Sequence, residues 1–294
     1  MRQLLILVPV VLLASGCGST VSPLRSGADA RLAAANVGFG AVVGAVGAMV
    51  NGDRDSATER LTRGALRGAV GGAGLYAGKW LAHRIYVDST YAWAYPAALV
   101  HETGASMIEN AAHDRPPLDR LSYHLAFVRL DVRPDTRAVT ARVMPFNVVA
   151  TGRMLAQDRL DVRRSLALGT LVFTGPGVSQ TPLDILPESG AWAFLNTVYL
   201  SEVEPGAEDY EISAHELMHV FQHREWLRAN ALYAGLGRAF QSGPESSYDE
   251  LASVVYLDNP MGLAAAYFLG PAGCRDDQWL EHELALFLSR NGGC

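Results

Sequence analysis

The stretch "SAHELMHVFQHREW", residues 213–226, places His215, His219 and His223 at intervals of four, with Glu216 beside the first. At 3.6 residues per turn, His215 and His219 project from one face of a helix, close enough to share one metal ion. Zinc takes nitrogen, oxygen or sulfur ligands in a tetrahedron, and a catalytic site leaves one position for water. Glu216 lies about 100° around the helix from His215. It misses the ion but reaches that water as a general base. Eight residues rise about 12 Å along a helix, whereas a zinc–nitrogen bond is about 2 Å. His223 is therefore excluded from the ion that His215 binds, and is expected to face solvent or touch substrate. The chemistry implied is hydrolysis of a peptide bond with Zn2+ as cofactor.

A third ligand must come from another element. Downstream, "SGPESSYDELASVVYLDNP" has the marks of a helix, with Pro244 in its first turn and a stop at Asn259-Pro260. Glu245 falls in the first turn, where the helix dipole accounts for an acid without a metal. Glu250 falls mid-helix among small and apolar neighbours, where a carboxylate is costly unless paired or metal-bound. Glu250 is the expected ligand and Glu245 the alternative. Tyr248, Tyr256 and His223 are candidates for stabilising the oxyanion, without an assigned role. His101, in "LVHETGASM", has no second histidine four residues later and is expected to be structural.

"HELMH" resembles the helix motif of the gluzincin metallopeptidases. That resemblance implies His215 and His219 as zinc ligands and Glu216 as base. "ELAS" resembles the second motif of membrane-associated gluzincins such as the CAAX prenyl proteases, placing Glu250 as ligand with Ser253 three residues on. The next residue in that family is often Asp; here it is Val254, so a carboxylate that would orient a ligand histidine is missing. A thermolysin-like arrangement would use Glu245 and Asp249 instead. The resemblance covers about residues 190–260. The chain does not resemble a metzincin: Gln222 and Glu225 occupy the positions of that motif's Gly and third His.

Several elements must position these groups. "YPAALVHETGASMIENAAH" reads as a helix closed by Pro116-Pro117. Strand composition marks residues 123–132, 138–144, 165–174 and 194–201, bounded by turn residues. "NTVYLSEV" is expected to be an exposed edge strand able to hold a peptide by β-augmentation. From Asp209 the chain reads as helical. Strands followed by helices argue for an α+β fold rather than a parallel α/β sheet. The resemblance refines this to a zincin-like domain over residues 85–294.

Before that domain, residues 32–84 form two apolar, glycine-rich stretches around the polar turn "NGDRDSATER". Gly40 and Gly44, then Gly64, Gly68 and Gly72, then Gly74 and Gly78, recur at helical spacing on one face, so two helices can approach closely. This resembles the glycine-zipper modules of bacterial envelope proteins. It implies a helical hairpin in or on a membrane, through which a homo-oligomer could form. Further upstream, "LLILVPVVLLASG" after Arg2 has the length and character of a signal peptide. It runs into Cys17, and "ASGC" resembles a bacterial lipobox. The expected layout is a signal peptide at 1–16, a lipidated Cys17 with a linker at 17–31, the hairpin, and the enzyme domain. The remaining cysteines, Cys274 and Cys294, are candidates for a disulfide in an exported compartment.

Composition fits this layout. The chain has 294 residues, 49% hydrophobic, and a net charge of −6 without a basic run, which gives no basis for nucleic-acid binding. The expected partners are a protein or peptide substrate and the bilayer. The expected location is the bacterial cell envelope, facing the periplasm. The competing expectation is an envelope lipoprotein whose zincin-like domain binds metal without catalysis.

Overall fold

The computed structural model describes residues 26–52, 56–175, 191–201, 209–228, 231 and 253–256. It is a mixed α+β structure, with six helices and two small sheets among the described residues.

Helices α1 (Ser26–Asn51) and α2 (Ala57–Val87) form the hairpin. Ser56 caps α2 by accepting a hydrogen bond from the Glu59 backbone N–H. Glycines bring the two backbones into contact: a Cβ on Gly68 would lie 2.0 Å from the Gly40 carbonyl oxygen. A second glycine face of α2 meets α3 (Ala94–Ala112), where a Cβ on Gly78 would sit 2.5 Å from the His101 Cβ. Gly78 thus belongs to the α2–α3 contact rather than to the hairpin seam. The hairpin also shares its core with later elements, since Leu32, Ala82 and Ile85 cluster with Leu217 and Phe221. On its outer side α1 exposes Val42, Val46, Met49 and Val50.

The first sheet is an antiparallel meander of β1 (Leu121–Leu125), β2 (Val128–Arg133) and β3 (Ala138–Val143). The strand expected over 123–132 is therefore a hairpin. Its turn contains Ala126, which adopts a φ of +53° without any glycine to mark it. Helix α4 (Pro145–Gln157) begins with proline at its first turn, where the missing N–H is harmless. Strand β4 (Arg159–Leu160) follows. The strand expected over 165–174 is split into α5 (Val162–Leu168) and β5 (Leu171–Gly175). Asp161 caps α5, and Gly169, at φ +67°, ends it. Strands β6 (Ala191–Phe194) and β7 (Thr197–Ser201) form a hairpin whose turn contains Leu195 at φ +55°. Helix α6 (Tyr210–Arg228) carries the histidines.

The second sheet has the order β4-β5-β7-β6, with β5 and β7 parallel and β6 antiparallel to β7. This overturns the expectation of an exposed edge at "NTVYLSEV". Strand β7 lies inside the sheet with Thr197 to Leu200 buried, and the strand at that end of the sheet is β6. Beyond α6, Val255 makes a parallel bridge to Val143 of β3, and the Tyr256 N–H donates to the Val143 carbonyl at 2.8 Å.

Candidate metal and catalytic site

Asp209 starts α6 by accepting the Ile212 N–H at 2.9 Å. The helix is held by burial of Ala214, Leu217, Val220 and Phe221 in the central cluster. That packing aims the other faces. His215 and His219 turn toward each other with 3.2 Å between their Nε2 atoms. Two nitrogens at zinc-bond length around a tetrahedral ion would stand about 3.3 Å apart. The pair therefore fits two ligands of one ion. Glu216 is buried beside them, its Oε1 4.0 Å from His215 Nε2.

Gln222 is a site residue that the sequence reading passes over. Its Oε1 lies 2.9 Å from His219 Nδ1. A carboxamide oxygen only accepts, so His219 Nδ1–H donates to it. The sequence signal was slight: Gln222 stands three residues after His219, within reach on a helix.

His223 is not solvent-facing, as the sequence suggested. It is fully buried, and its Nδ1 accepts the Leu195 N–H at 3.0 Å. Burial, reinforced by His219, pushes its pKa down to about 3, so it is neutral. It anchors the β6–β7 turn. Next to it, Arg224 Nε donates to Asn196 Oδ1 at 2.7 Å. Asn196 also donates through its side chain to the Ala126 carbonyl, donates its N–H to Asn147 Oδ1 and accepts from Thr170 Oγ1. One asparagine thereby ties α6 to both hairpin turns.

Glu225, at the position of a metzincin's third histidine, is a structural acid. It accepts from Lys79 Nζ at 2.9 Å and pairs with His101 Nε2 at 2.9 Å. His101 is fully buried and stacks on Phe221, in the structural role expected for it. Burial lowers its pKa, with Glu225 opposing. Lys79, itself buried, is held further by Asn36 Oδ1 at 3.0 Å.

The far end of α6 enters a buried ionic network. Arg228 bonds Glu109 at 2.5 Å and Glu102 at 2.9 Å. Arg224 pairs with Glu102, and Arg129 with Glu109 and Asp131. Burial disfavours ionisation of both glutamates, but the facing cations outweigh it and hold them well below the usual carboxylate range. His124, bonded to Glu102 at 2.9 Å, is pushed down to about 4, chiefly by burial. Tyr256 covers the network, its ring 4.1 Å from the Arg129 guanidinium carbon.

Glu250, Glu245 and Tyr248 lie outside the described residues, as do Cys17, Cys274 and Cys294. Among the described residues no three acidic, histidine or cysteine side chains are grouped to hold a metal. The structure brings His215, His219 and Glu216 together, and sets His223 and Tyr256 to structural tasks. No protein-family model, curated protein or solved structure matches the chain.

Proposed function

We propose that this chain is a zinc-dependent metallopeptidase of the bacterial cell envelope, built on a zincin-like domain. The observation that carries the reading is the 3.2 Å approach of His215 Nε2 and His219 Nε2, with Glu216 beside them. Bound zinc would polarise the scissile carbonyl and acidify a water. His215 and His219 would hold it, with Glu250 as the proposed third ligand. Glu216 would take the proton of the attacking water and return it to the departing amine. Burial of Glu216 keeps competing solvent away from that transfer. An extended peptide would lie along β6, which pairs only with β7 among the described residues and packs against α6. Attachment would come from a lipid on Cys17, with the apolar outer face of α1 against the bilayer. That helix is long and apolar enough to cross a membrane by length and composition. Its other face, however, is packed on α2 and α3.

A second reading, metal binding without catalysis, draws on the depth of the site: Glu216 and His219 are only 3% and 7% exposed. One preparation tests both. The full chain, extracted from membranes in detergent, should contain one zinc per molecule and cleave unfolded protein substrates. Glu216→Gln should keep the zinc and lose activity by about 100-fold or more. Absence of zinc refutes the proposal, and zinc without cleavage favours the second reading. Release of Cys17→Ser protein into the soluble fraction would support the lipid anchor, and its retention would argue against lipid as the main attachment.

A further inference from the structure

We propose that Gln222 is a positioning residue that sets the tautomer of His219 and so makes it a metal ligand. This rests on the metallopeptidase reading above. The two ring nitrogens of His219 have separate partners. Nε2 faces His215 Nε2 at 3.2 Å, and Nδ1 faces Gln222 Oε1 at 2.9 Å. Imidazole ligates a metal through a nitrogen that carries no proton. Donation from Nδ1–H to the amide oxygen keeps the proton on the far side of the ring. Nε2 then presents its lone pair where His215 points.

Burial gives this contact its force. Gln222 is 1% exposed and His219 7% exposed. Water cannot readily replace the amide oxygen as acceptor for Nδ1–H, and losing a buried partner is costly. The two residues are also three apart on one helix, so the acceptor moves with the ligand rather than on a separate loop. Gln222 thereby supplies the support that an aspartate at position 254 would give in the resembled family, where this chain has Val254. The acceptor is neutral. It orients the imidazole without the added electron density that a carboxylate would lend it.

Three variants of the full chain in detergent test the assignment: Gln222→Met, Gln222→Glu and Gln222→Ala. Zinc affinity is read by competition with a chromogenic chelator, and integrity of the metal-free fold by far-UV circular dichroism. Gln222→Met keeps the volume and removes the acceptor, and should weaken zinc binding about 10- to 100-fold. Gln222→Ala should weaken it at least as much. Gln222→Glu should bind zinc as tightly as wild type or more so. A wild-type affinity in Gln222→Met would overturn the proposal. So would equal loss in the Met and Glu variants, which would mark a packing effect instead. A second readout needs no metal. Nitrogen-15 NMR of the imidazoles should find the His219 proton on Nδ1 in wild type and redistributed in Gln222→Met. A proton on Nε2 in the wild-type protein would refute the assignment. If wild type binds no zinc, the metallopeptidase reading falls, and the NMR measurement still decides whether Gln222 sets the tautomer.

Discussion

A lysine sealed inside a protein marks where the fold tolerates no loss. Lys79 is 1% exposed, and its ammonium is met by Glu225 and Asn36. Removing one member of such a pair leaves a buried charge without its counterpart and costs about 3–5 kcal/mol. Lys79→Met should therefore lower the thermal midpoint sharply. The double change Lys79→Met with Glu225→Gln should recover much of the loss, because both charges leave together. Calorimetry on Lys79→Met, Glu225→Gln and the double variant checks this, and additive losses would show that the pair is not coupled. At this scale the sequence was informative where geometry is local. Spacing alone aligned His215 with His219 and set His223 apart from the pair. It was silent where partners are distant. The Leu195 N–H that buries His223 lies 28 residues away, and the Lys79 that claims Glu225 lies 146 away.

At the scale of elements, glycine content forecast the close approach of α1 and α2, but not that α2 is shared between two partners. The glycines divide by what surrounds them. Gly68 meets the Gly40 carbonyl, so Gly68→Ala must push the helices apart and should destabilise the protein by more than 1 kcal/mol. A Cβ on Gly38, in the same hairpin, would meet nothing within 4 Å. Gly38→Ala should stabilise by up to about 1 kcal/mol through helix propensity alone. Opposite shifts in denaturant midpoint are the expected result; equal shifts would show that the hairpin is not packed this way. The strands were less legible. Residues 123–132 read as one run because Ala126 reverses the chain without glycine or proline. Leu195 does the same between β6 and β7. Residues 162–168 form a helix whose signals were present, Asp161 before it and Gly169 after it, but strand composition obscured them. The run of buried residues in β7 was likewise a sign of an inner strand. Strand order, however, is set by pairings that no local pattern carries.

Taken whole, the molecule is expected to lose stability in acid, and the sense of that loss follows from its buried groups. His124 is held neutral down to about pH 4 in the fold. In the unfolded chain it takes a proton near pH 6.5. Between those values the unfolded state binds more protons, so stability falls as pH falls. For His124 the full loss is about 3 kcal/mol. His101 is shifted in the same direction. Glu102 and Glu109 act lower on the scale. Their folded pKa values are depressed, so their stabilisation is complete above the unfolded value of about 4.3 and drains away below it. The metal-free protein should melt highest near neutral pH, decline from about pH 6.5 and fall more steeply below about pH 4. His124→Gln should make the first limb shallower without abolishing it, because His101 and His223 are shifted in the same direction, and should leave the second. A midpoint independent of pH between 4 and 6.5 would contradict the neutral state of His124.

The pairing of Lys79 with Glu225 also sets an order in time. The chain is made from its N-terminus, so the hairpin and α3 (ending at Ala112) are complete before α6 (beginning at Tyr210) is synthesised. Until then the glycine-lined cleft holds an ammonium with no carboxylate to answer it, and α1 and α2 cannot close around it at low cost. Closure of α1 and α2 around Lys79 is therefore expected to accompany docking of the histidine helix. Docking of that helix would give Lys79 its carboxylate and set His215, His219 and Glu216 in place. The grouping of His215, His219 and Glu216 is thus expected only once both parts of the chain are present.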